Sequence, residues 1–149
     1  MTKSEGMTAN LLEASAWARE WLFSDALPLW WSAGADHLNG GFFEKLDQEG
    51  RPVGVPTRVR VQARQLYVFA EAGRLGWSGP WQEATQHALT FMLDRYPRSD
   101  GLFRSTLDTS DTKIDLYDQA FVLFAMAHAY RQQRDSIFLD TAIKLIDRL

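Results

Sequence analysis

The sequence contains no cysteine, which excludes disulfides and thiolate metal sites within the chain. No apolar run approaches the ~20 residues that a helix needs to cross a bilayer. Neither charge sign dominates, and the net charge of −3 gives no reason to expect nucleic acid or an anionic membrane as partner. Residues 1–10 are polar and lack the apolar core of a signal peptide. We therefore expect a cytoplasmic protein.

The motifs of several common chemistries are also missing from the sequence. It has neither a glycine-rich phosphate loop nor a serine nucleophile elbow. The three histidines, His37, His87 and His128, are not spaced as metal ligands. We therefore expect neither a metal nor another cofactor.

Aromatic residues, by contrast, are abundant, at 13% of the chain with six tryptophans. Aromatic rings are common in protein cores. They also stack well on the apolar faces of sugar rings, so composition leaves core packing and a sugar-binding cleft both open. The hydrophobic and charged fractions, 46% and 23%, are typical of a globular domain.

Hydrophobic periodicity and capping signals predict an all-α protein with five helical stretches. The first runs from an N-cap at Thr8 to about Phe23 and, after a break, continues over residues 25–33. The others cover residues 58–75, 80–96, 115–131 and 136–149. Short strands are predicted in the connecting loops, at residues 41–46 and 100–103.

A loose internal repeat relates two parts of the chain. Gly41 leads to a helix containing Gln65, and Gly101 leads to one containing Gln119, at offsets of 60 residues for the glycines and 54 for the glutamines. This period predicts an array of αα-hairpins that bury their faces against neighbours. The last helix reaches Leu149 without a terminating Gly, Asn or Pro. We therefore expect residues 1–149 to form one incomplete domain, with self-association of a short protein as the alternative.

Three arginines, Arg58, Arg60 and Arg64, lie within seven residues at the start of the second predicted helix. The helix dipole disfavours cations there by roughly 0.3–1 kcal/mol each. Acidic neighbours or simple exposure account for Arg58 and Arg60. Arg64 lies between Val61 and Val68, close to the expected apolar stripe. An inward guanidinium needs a carboxylate, a carbonyl cluster or a bound ligand.

A second polar cluster begins the fourth predicted helix. Asp115 suits an N-cap position, where a carboxylate accepts backbone hydrogen bonds. Tyr117 and Asp118 follow it. Because equivalent helix ends line one mouth of a hairpin array, we expect these two side chains to face the same cavity as Arg64.

Taken together, these segments resemble the N-acylglucosamine 2-epimerase family, which includes mannose isomerases and cellobiose 2-epimerases. The matching segments are Gly40-Gly-Phe-Phe-Glu44, the turn Asp47–Gly50, Val61-Gln-Ala-Arg-Gln-Leu-Tyr67 and Leu116-Tyr-Asp-Gln-Ala-Phe121. The resemblance implies an (α/α)6 toroid of six helical hairpins, of which this chain would form the N-terminal part. It also implies interconversion of sugars by proton transfer at C2 of the open-chain form.

The resemblance also implies roles for individual residues. Arg64 matches the family's active-site arginine, which contacts the substrate near C1 and O5 or stabilises the enediolate. A cation there would offset the charge that develops on oxygen as the C2 proton leaves. Tyr117 matches a substrate-binding position, and Asp118 is a further candidate. The family's acid/base histidines come from later hairpins, so we expect this chain alone to be inactive.

Two other functions remain open. A glycoside hydrolase with the same toroid would need two carboxylates across a cleft, for which Glu44, Asp115 and Asp118 are the candidates. A non-catalytic interaction module would instead use the unpartnered apolar stripe. For the enzyme we expect a monosaccharide or disaccharide substrate, no nucleic acid or membrane partner, and leave homo-oligomer formation open.

Overall fold

The computed structural model describes residues 3–110 and 112–149, with side chains from Asn10 onward. The predicted all-α class is confirmed. The α-helices are α1 (Lys3–Trp21), α2 (Leu27–Leu29), α3 (Val59–Arg74), α4 (Trp81–Arg95), α5 (Leu116–Gln133) and α6 (Ser136–Ile146). Across the described residues, no helix combines the length and apolar character needed to cross a bilayer.

The first helical region differs from its prediction. It begins at Lys3, so the N-cap predicted at Thr8 is wrong. The backbone ahead of Thr8 is already helical, and its amide groups therefore need no cap at that position. The predicted break after Phe23 is also absent, because a π-helical segment, Leu22–Ala26, joins α1 to α2.

Pro28 explains why this junction departs from regular α-helix. It lies in the first turn of α2, where its missing N–H removes one hydrogen bond from the helical ladder. Wider π-helical turns precede α2 and follow it, the second being Trp30–Gly34. The chain thus stays helical to Gly34 despite the proline.

The strands predicted in the connecting loops are wrong. In the described residues these loops contain only isolated antiparallel bridges, which join Ala35 to Phe42, Leu46 to Pro52, and Pro97 to Phe103. The glycines at each turn explain why pairing stops so soon, since the backbone reverses within a few residues. Gly40, Gly41 and Gly101 all have positive φ angles.

The four later helices form two consecutive αα-hairpins. α3 packs against α4 and α5, and α5 packs against α6. Gly76, with φ +88°, reverses the chain just after α3, which is a position that favours glycine. The core between these helices consists of side chains that are almost completely buried: Val59, Ala63, Leu66, Phe69, Ala84, Ala88, Met92, Val122, Met126 and Ala129.

Two buried glutamines fasten the connecting loops to the central helices. Gln62 Oε1 accepts from the backbone N–H of Phe42 at 2.9 Å, and Gln62 Nε2 donates to the Phe42 carbonyl at 2.8 Å. Gln119 makes the same two bonds to Phe103, at 2.9 and 2.7 Å. The repeat is therefore confirmed but its register is corrected, because Gln62 rather than Gln65 is the counterpart of Gln119.

Candidate functional site

The starts of α3 and α5 lie side by side. Arg60 near the start of α3 contacts Asp118 near the start of α5, and Glu71 three turns later contacts His128. The two helices therefore run in parallel, and their N-terminal turns bring the arginine cluster next to the Asp115–Asp118 segment. This arrangement was predicted from the hairpin array.

Arg58 is neutralised by one carboxylate from the preceding loop. Its Nε donates to Glu44 Oε1 at 2.6 Å, and its Nη2 donates to the same oxygen. Its backbone N–H donates to Glu44 Oε2 at 3.0 Å. The side-chain hydrogen bonds to Glu44 raise the pKa of the Arg58 guanidinium. Glu44 also offsets the positive end of the α3 dipole, as an acidic neighbour was expected to do.

Arg60 is compensated by two carboxylates. Its Nη1 lies 3.3 Å from Asp115 Oδ2 and 3.1 Å from Asp118 Oδ1. Asp115 is also the N-cap of α5, since its Oδ1 accepts from the backbone N–H of Tyr117 at 3.0 Å. The predicted capping role of Asp115 is confirmed.

Asp118 is completely buried. Among the described residues, neither of its carboxylate oxygens accepts a hydrogen bond of good geometry, although Arg60 Nη1 is close enough to Oδ1 for an ion pair. The structure therefore places Asp118 beneath the surface that carries Tyr117, rather than on it. Its nearest cation is Arg60 and not Arg64.

Arg64 differs from the other two arginines because it is exposed and, within the described residues, pairs with no carboxylate. Its Nη2 donates to Tyr117 Oη at 2.8 Å. Its guanidinium carbon lies 4.4 Å from the ring centroid of Phe121. Of its neighbours on the same side of α3, Val61 is buried and Val68 is 37% exposed, so Arg64 lies at the edge of the apolar stripe rather than within the core.

Arg64 and Tyr117 thus form one surface, which we call the arginine–tyrosine pair. Tyr117 is 53% exposed, and the guanidinium carbon of Arg60 lies 5.4 Å from its ring centroid. The phenol is therefore held between two guanidinium groups, with one cation near its ring and one at its oxygen. Such contacts order both side chains without burying them.

An aromatic row continues from the arginine–tyrosine pair along α5, and sequence reasoning missed it. The ring centroids are 5.0 Å apart for Tyr117 and Phe121, 6.3 Å for Phe121 and Phe124, and 4.6 Å for Phe124 and His128. Tyr67 joins from α3, 4.7 Å from Phe124. Spacings of three and four residues on α5 were the signal for this row.

His128 ends this aromatic row, whereas His37 and His87 lie away from it. His37 and His87 flank Trp31, with ring centroids 4.6 and 5.7 Å from it. His128 Nδ1 lies 3.4 Å from Glu71 Oε1, and burial lowers the pKa of this histidine despite that carboxylate. Among the described residues, no histidine forms a hydrogen bond or a ring contact with the arginine–tyrosine pair.

The acidic residues proposed for a hydrolase are held by arginines in the described part of the chain. Glu44 is paired with Arg58, and Asp115 and Asp118 share Arg60 Nη1, so each of the three carboxylates is engaged in an ion pair. The described residues contain no group of three or more His, Asp or Glu side chains placed to hold a metal ion. The chemistry available at this surface is therefore that of a cation, a phenol and aromatic rings.

Parallel central helices with an arginine and a tyrosine at their starts define a helical-hairpin protein with a polar, aromatic-lined surface. The chain belongs to the N-acylglucosamine 2-epimerase (GlcNAc 2-epimerase) family, whose model matches residues 41–149. That range includes both hairpins and every residue of the candidate site. The resemblance noted from the sequence segments is confirmed.

One curated relative is a mannose-6-phosphate isomerase of Rhizobium meliloti (strain 1021). It is 45% identical over 113 residues, which cover 72% of this chain and 29% of the relative. The chain therefore spans less than a third of that protein. The relative is a sugar isomerase by name, as the family resemblance predicted.

Two solved structures share the fold. The cellobiose 2-epimerase of Spirochaeta thermophila DSM 6192 superposes with a TM-score of 0.81 and 23% identity, over 93% of this chain and 36% of that chain. The cellobiose 2-epimerase of Bacillus thermoamylovorans B4167 gives 0.74 and 24%, over 87% and 34%. The helices thus match part of a helical toroid, which confirms the predicted fold class.

Proposed function

We propose that this chain is the substrate-contacting part of a sugar 2-epimerase or aldose–ketose isomerase. The reaction is proton transfer at C2 of an open-chain monosaccharide or disaccharide. The observation that carries the proposal is the arginine–tyrosine pair, an exposed guanidinium that no described carboxylate neutralises and that a phenol holds in place. Membership of the family and the names of the relatives support the same class of reaction.

Arg64 has the chemistry to stabilise the intermediate of that reaction. Loss of the C2 proton places negative charge on the oxygen at C1 of the sugar, next to the hydroxyl oxygen at C2. A guanidinium has five N–H donors, of which Tyr117 uses one, so the others are available to those oxygens. A fixed cation at a developing oxyanion is commonly the largest catalytic contribution of a site.

Tyr117 is proposed as a substrate-binding residue. Its oxygen accepts a hydrogen bond from Arg64, which leaves its own O–H proton for a sugar oxygen. Phe121, next to it on α5, adds an apolar surface beside the guanidinium. Together the two side chains present donors at one end and an aromatic face at the other, which suits a sugar.

Asp118 was predicted to bind substrate, and its burial supports a different role. A completely buried carboxylate has no surface to offer a sugar, but it holds Arg60 within 3.1 Å. Arg60 in turn lies near the Tyr117 ring. We therefore assign Asp118 as a positioning residue for the arginine–tyrosine pair, acting through Arg60.

The general base is proposed to lie outside this chain. Abstraction of the C2 proton needs a base within hydrogen-bond reach. His37 and His87 contact Trp31, and His128 contacts Glu71, Tyr67 and Phe124, so among the described residues no histidine contacts Arg64 or Tyr117. The chain also spans only about a third of the relatives that it matches. On this proposal, residues 1–149 form an incomplete domain that binds sugar without converting it.

The test is sugar binding by the purified chain. Backbone and side-chain NMR shifts are followed while mannose, glucose, N-acetylglucosamine or cellobiose is added. We expect one of these sugars to shift signals of Tyr117 and Phe121, and Arg64→Ala to remove the response. Arg51→Ala, which changes an exposed arginine on a distant turn, is the matched control. Equal responses in both variants would contradict the role of Arg64.

Activity provides an independent check. The chain is incubated with the same sugars, and the C2 epimer and the ketose are quantified by chromatography. We expect neither product above the level of a protein-free control. Conversion by the purified chain that Arg64→Ala abolishes would show that the base lies within these residues, and would overturn our proposal about its location.

One observation favours a second candidate, a self-associating interaction module. Apolar residues on one side of α6 are exposed, with Leu139 at 45%, Ile143 at 48% and Ile146 at 58%. Exposed apolar patches of this kind mark protein interfaces. This candidate predicts a defined oligomer by light scattering that Ile143→Lys dissociates, and no sugar-induced shifts at Tyr117.

A further inference from the structure

A separate groove lies along the exposed side of α4, away from the arginine–tyrosine pair. Its volume is about 900 Å3, and its lining includes neither Arg64 nor Tyr117. This volume falls in the upper part of the roughly 300–1,000 Å3 range of small-molecule sites. The groove therefore has room for more than one sugar ring and is independent of the proposed catalytic surface.

Side-chain amides form an ordered row in this groove. Gln133 Nε2 donates to Gln86 Oε1 at 3.1 Å, and Gln86 Nε2 donates to Thr90 Oγ1 at 3.0 Å. These bonds fix the orientation of both glutamine amides, because each amide nitrogen points toward the next residue of the row. The second N–H of each amide and the carbonyl oxygen of Gln133 then present donors and an acceptor in a set order. Adjacent hydroxyl groups on a sugar ring both donate and accept hydrogen bonds, so this row of amides can bind them.

An aromatic ring with a fixed position lies in the wall of the same groove. A Cβ at Gly73 would come within 2.2 Å of the Trp81 ring, which shows that one face of the ring lies directly on the glycine backbone. Trp81 is half-buried and lines the groove. A rigid, partly exposed indole beside a row of amides is a combination that binds sugars, since the ring stacks on C–H groups and the amides bind hydroxyls.

The charges in the groove favour a neutral ligand. Glu83 and Asp94 are its acidic side chains, Arg95 is its arginine, and His87, counted as neutral, is its histidine. The formal sum of −1 disfavours a phosphate or a carboxylate, and no arginine fork is directed to one, since Arg95 lies over the Phe91 ring. From the amide row, the indole and this charge, we propose that the groove binds a neutral disaccharide or oligosaccharide.

The experiment is an NMR titration of the full chain with cellobiose and with glucose 6-phosphate. Cellobiose should shift the side-chain amide signals of Gln86 and Gln133 and the indole N–H signal of Trp81, whereas glucose 6-phosphate should not. Gln86→Ala should weaken cellobiose binding about five- to tenfold, the loss expected for one or two neutral hydrogen bonds. Arg64→Ala should leave these shifts unchanged, which separates this proposal from the proposed function.

Controls keep the result unambiguous. Gln48→Ala removes an exposed amide from a distant turn and should bind cellobiose like the wild type. Gln133→Ala changes an exposed residue at the end of α5 and should reproduce the loss seen with Gln86→Ala. Circular dichroism verifies that each variant is folded. Absence of shifts at Gln86, Gln133 and Trp81, or equal affinities for Gln86→Ala and Gln48→Ala, would overturn the proposal.

Discussion

Asp118 and Arg60 form an ion pair in which the carboxylate is completely buried and Arg60 Nη1 lies 3.1 Å from Oδ1. The Arg60 side chain is only 17% exposed. Removing a charge from water is costly unless a partner compensates, so each member of this pair depends on the other. The pair also lies directly beneath Tyr117, which connects the stability of α5 with the geometry of the candidate site.

Arg60→Ala should therefore destabilise the protein by about 3–5 kcal/mol, because it leaves the Asp118 charge buried without its cation. The free energy of unfolding is measured by urea denaturation. Replacing both partners, with Arg60→Met and Asp118→Leu, should recover most of the loss since no buried charge remains. A double variant less stable than Arg60→Ala would contradict this account.

Gln62→Ala should destabilise the chain by about 2–4 kcal/mol, since it leaves the N–H and the carbonyl of Phe42 buried without partners. Gln119→Ala should cost a similar amount through Phe103. Gln65→Ala, on the same helix as Gln62, is the matched control and should change stability little. If Gln65→Ala proved as costly as Gln62→Ala, the corrected repeat register would be wrong.

Gly41→Ala should destabilise the protein by about 2–4 kcal/mol for two reasons. Its φ of +75° disfavours a side chain, and a Cβ there would come within 2.4 Å of the Phe91 ring. Gly54→Ala is the control, because its Cβ would meet no atom within 4 Å. Thermal unfolding of both variants measures the difference. Similar midpoints for the two would show that the loop relaxes around the new methyl group.

His128 should make stability depend on pH. Burial lowers the pKa of this imidazole from its model-compound value of 6.5, so the folded state binds its proton less readily than the unfolded state. The stabilisation that the neutral imidazole contributes is complete above pH 6.5. It is lost as the pH falls from there through the lower pKa of the folded state. Thermal midpoints should therefore decline faster in the wild type than in His128→Gln below about pH 6.5. Parallel declines would exclude His128 as the cause.

Helix positions were largely readable from the sequence, because spacing and caps are local properties. The predictions for α3 to α6 are confirmed at their starts to within a residue or so, and Asp115 caps α5 as expected. The break after Phe23 was wrong since a proline can be accommodated by a π-helical turn, which depends on geometry that a periodic pattern does not express. The prediction of strands in the loops was wrong for a related reason. Bridges pair backbone segments that only the folded loops bring together.

The candidate site also has a part that the sequence determines and a part that depends on the tertiary structure. The sequence by itself determined which residues carry the chemistry: three arginines at one helix start, an aspartate–tyrosine segment at another, and the segments that match the family. Only the tertiary structure decided their partners. Arg58 and Arg60 are neutralised by carboxylates, whereas Arg64 donates to Tyr117, 53 residues away. Pairing of charges depends on distance and burial, and these arise only when α3 packs against α5 and against the loop that precedes α3.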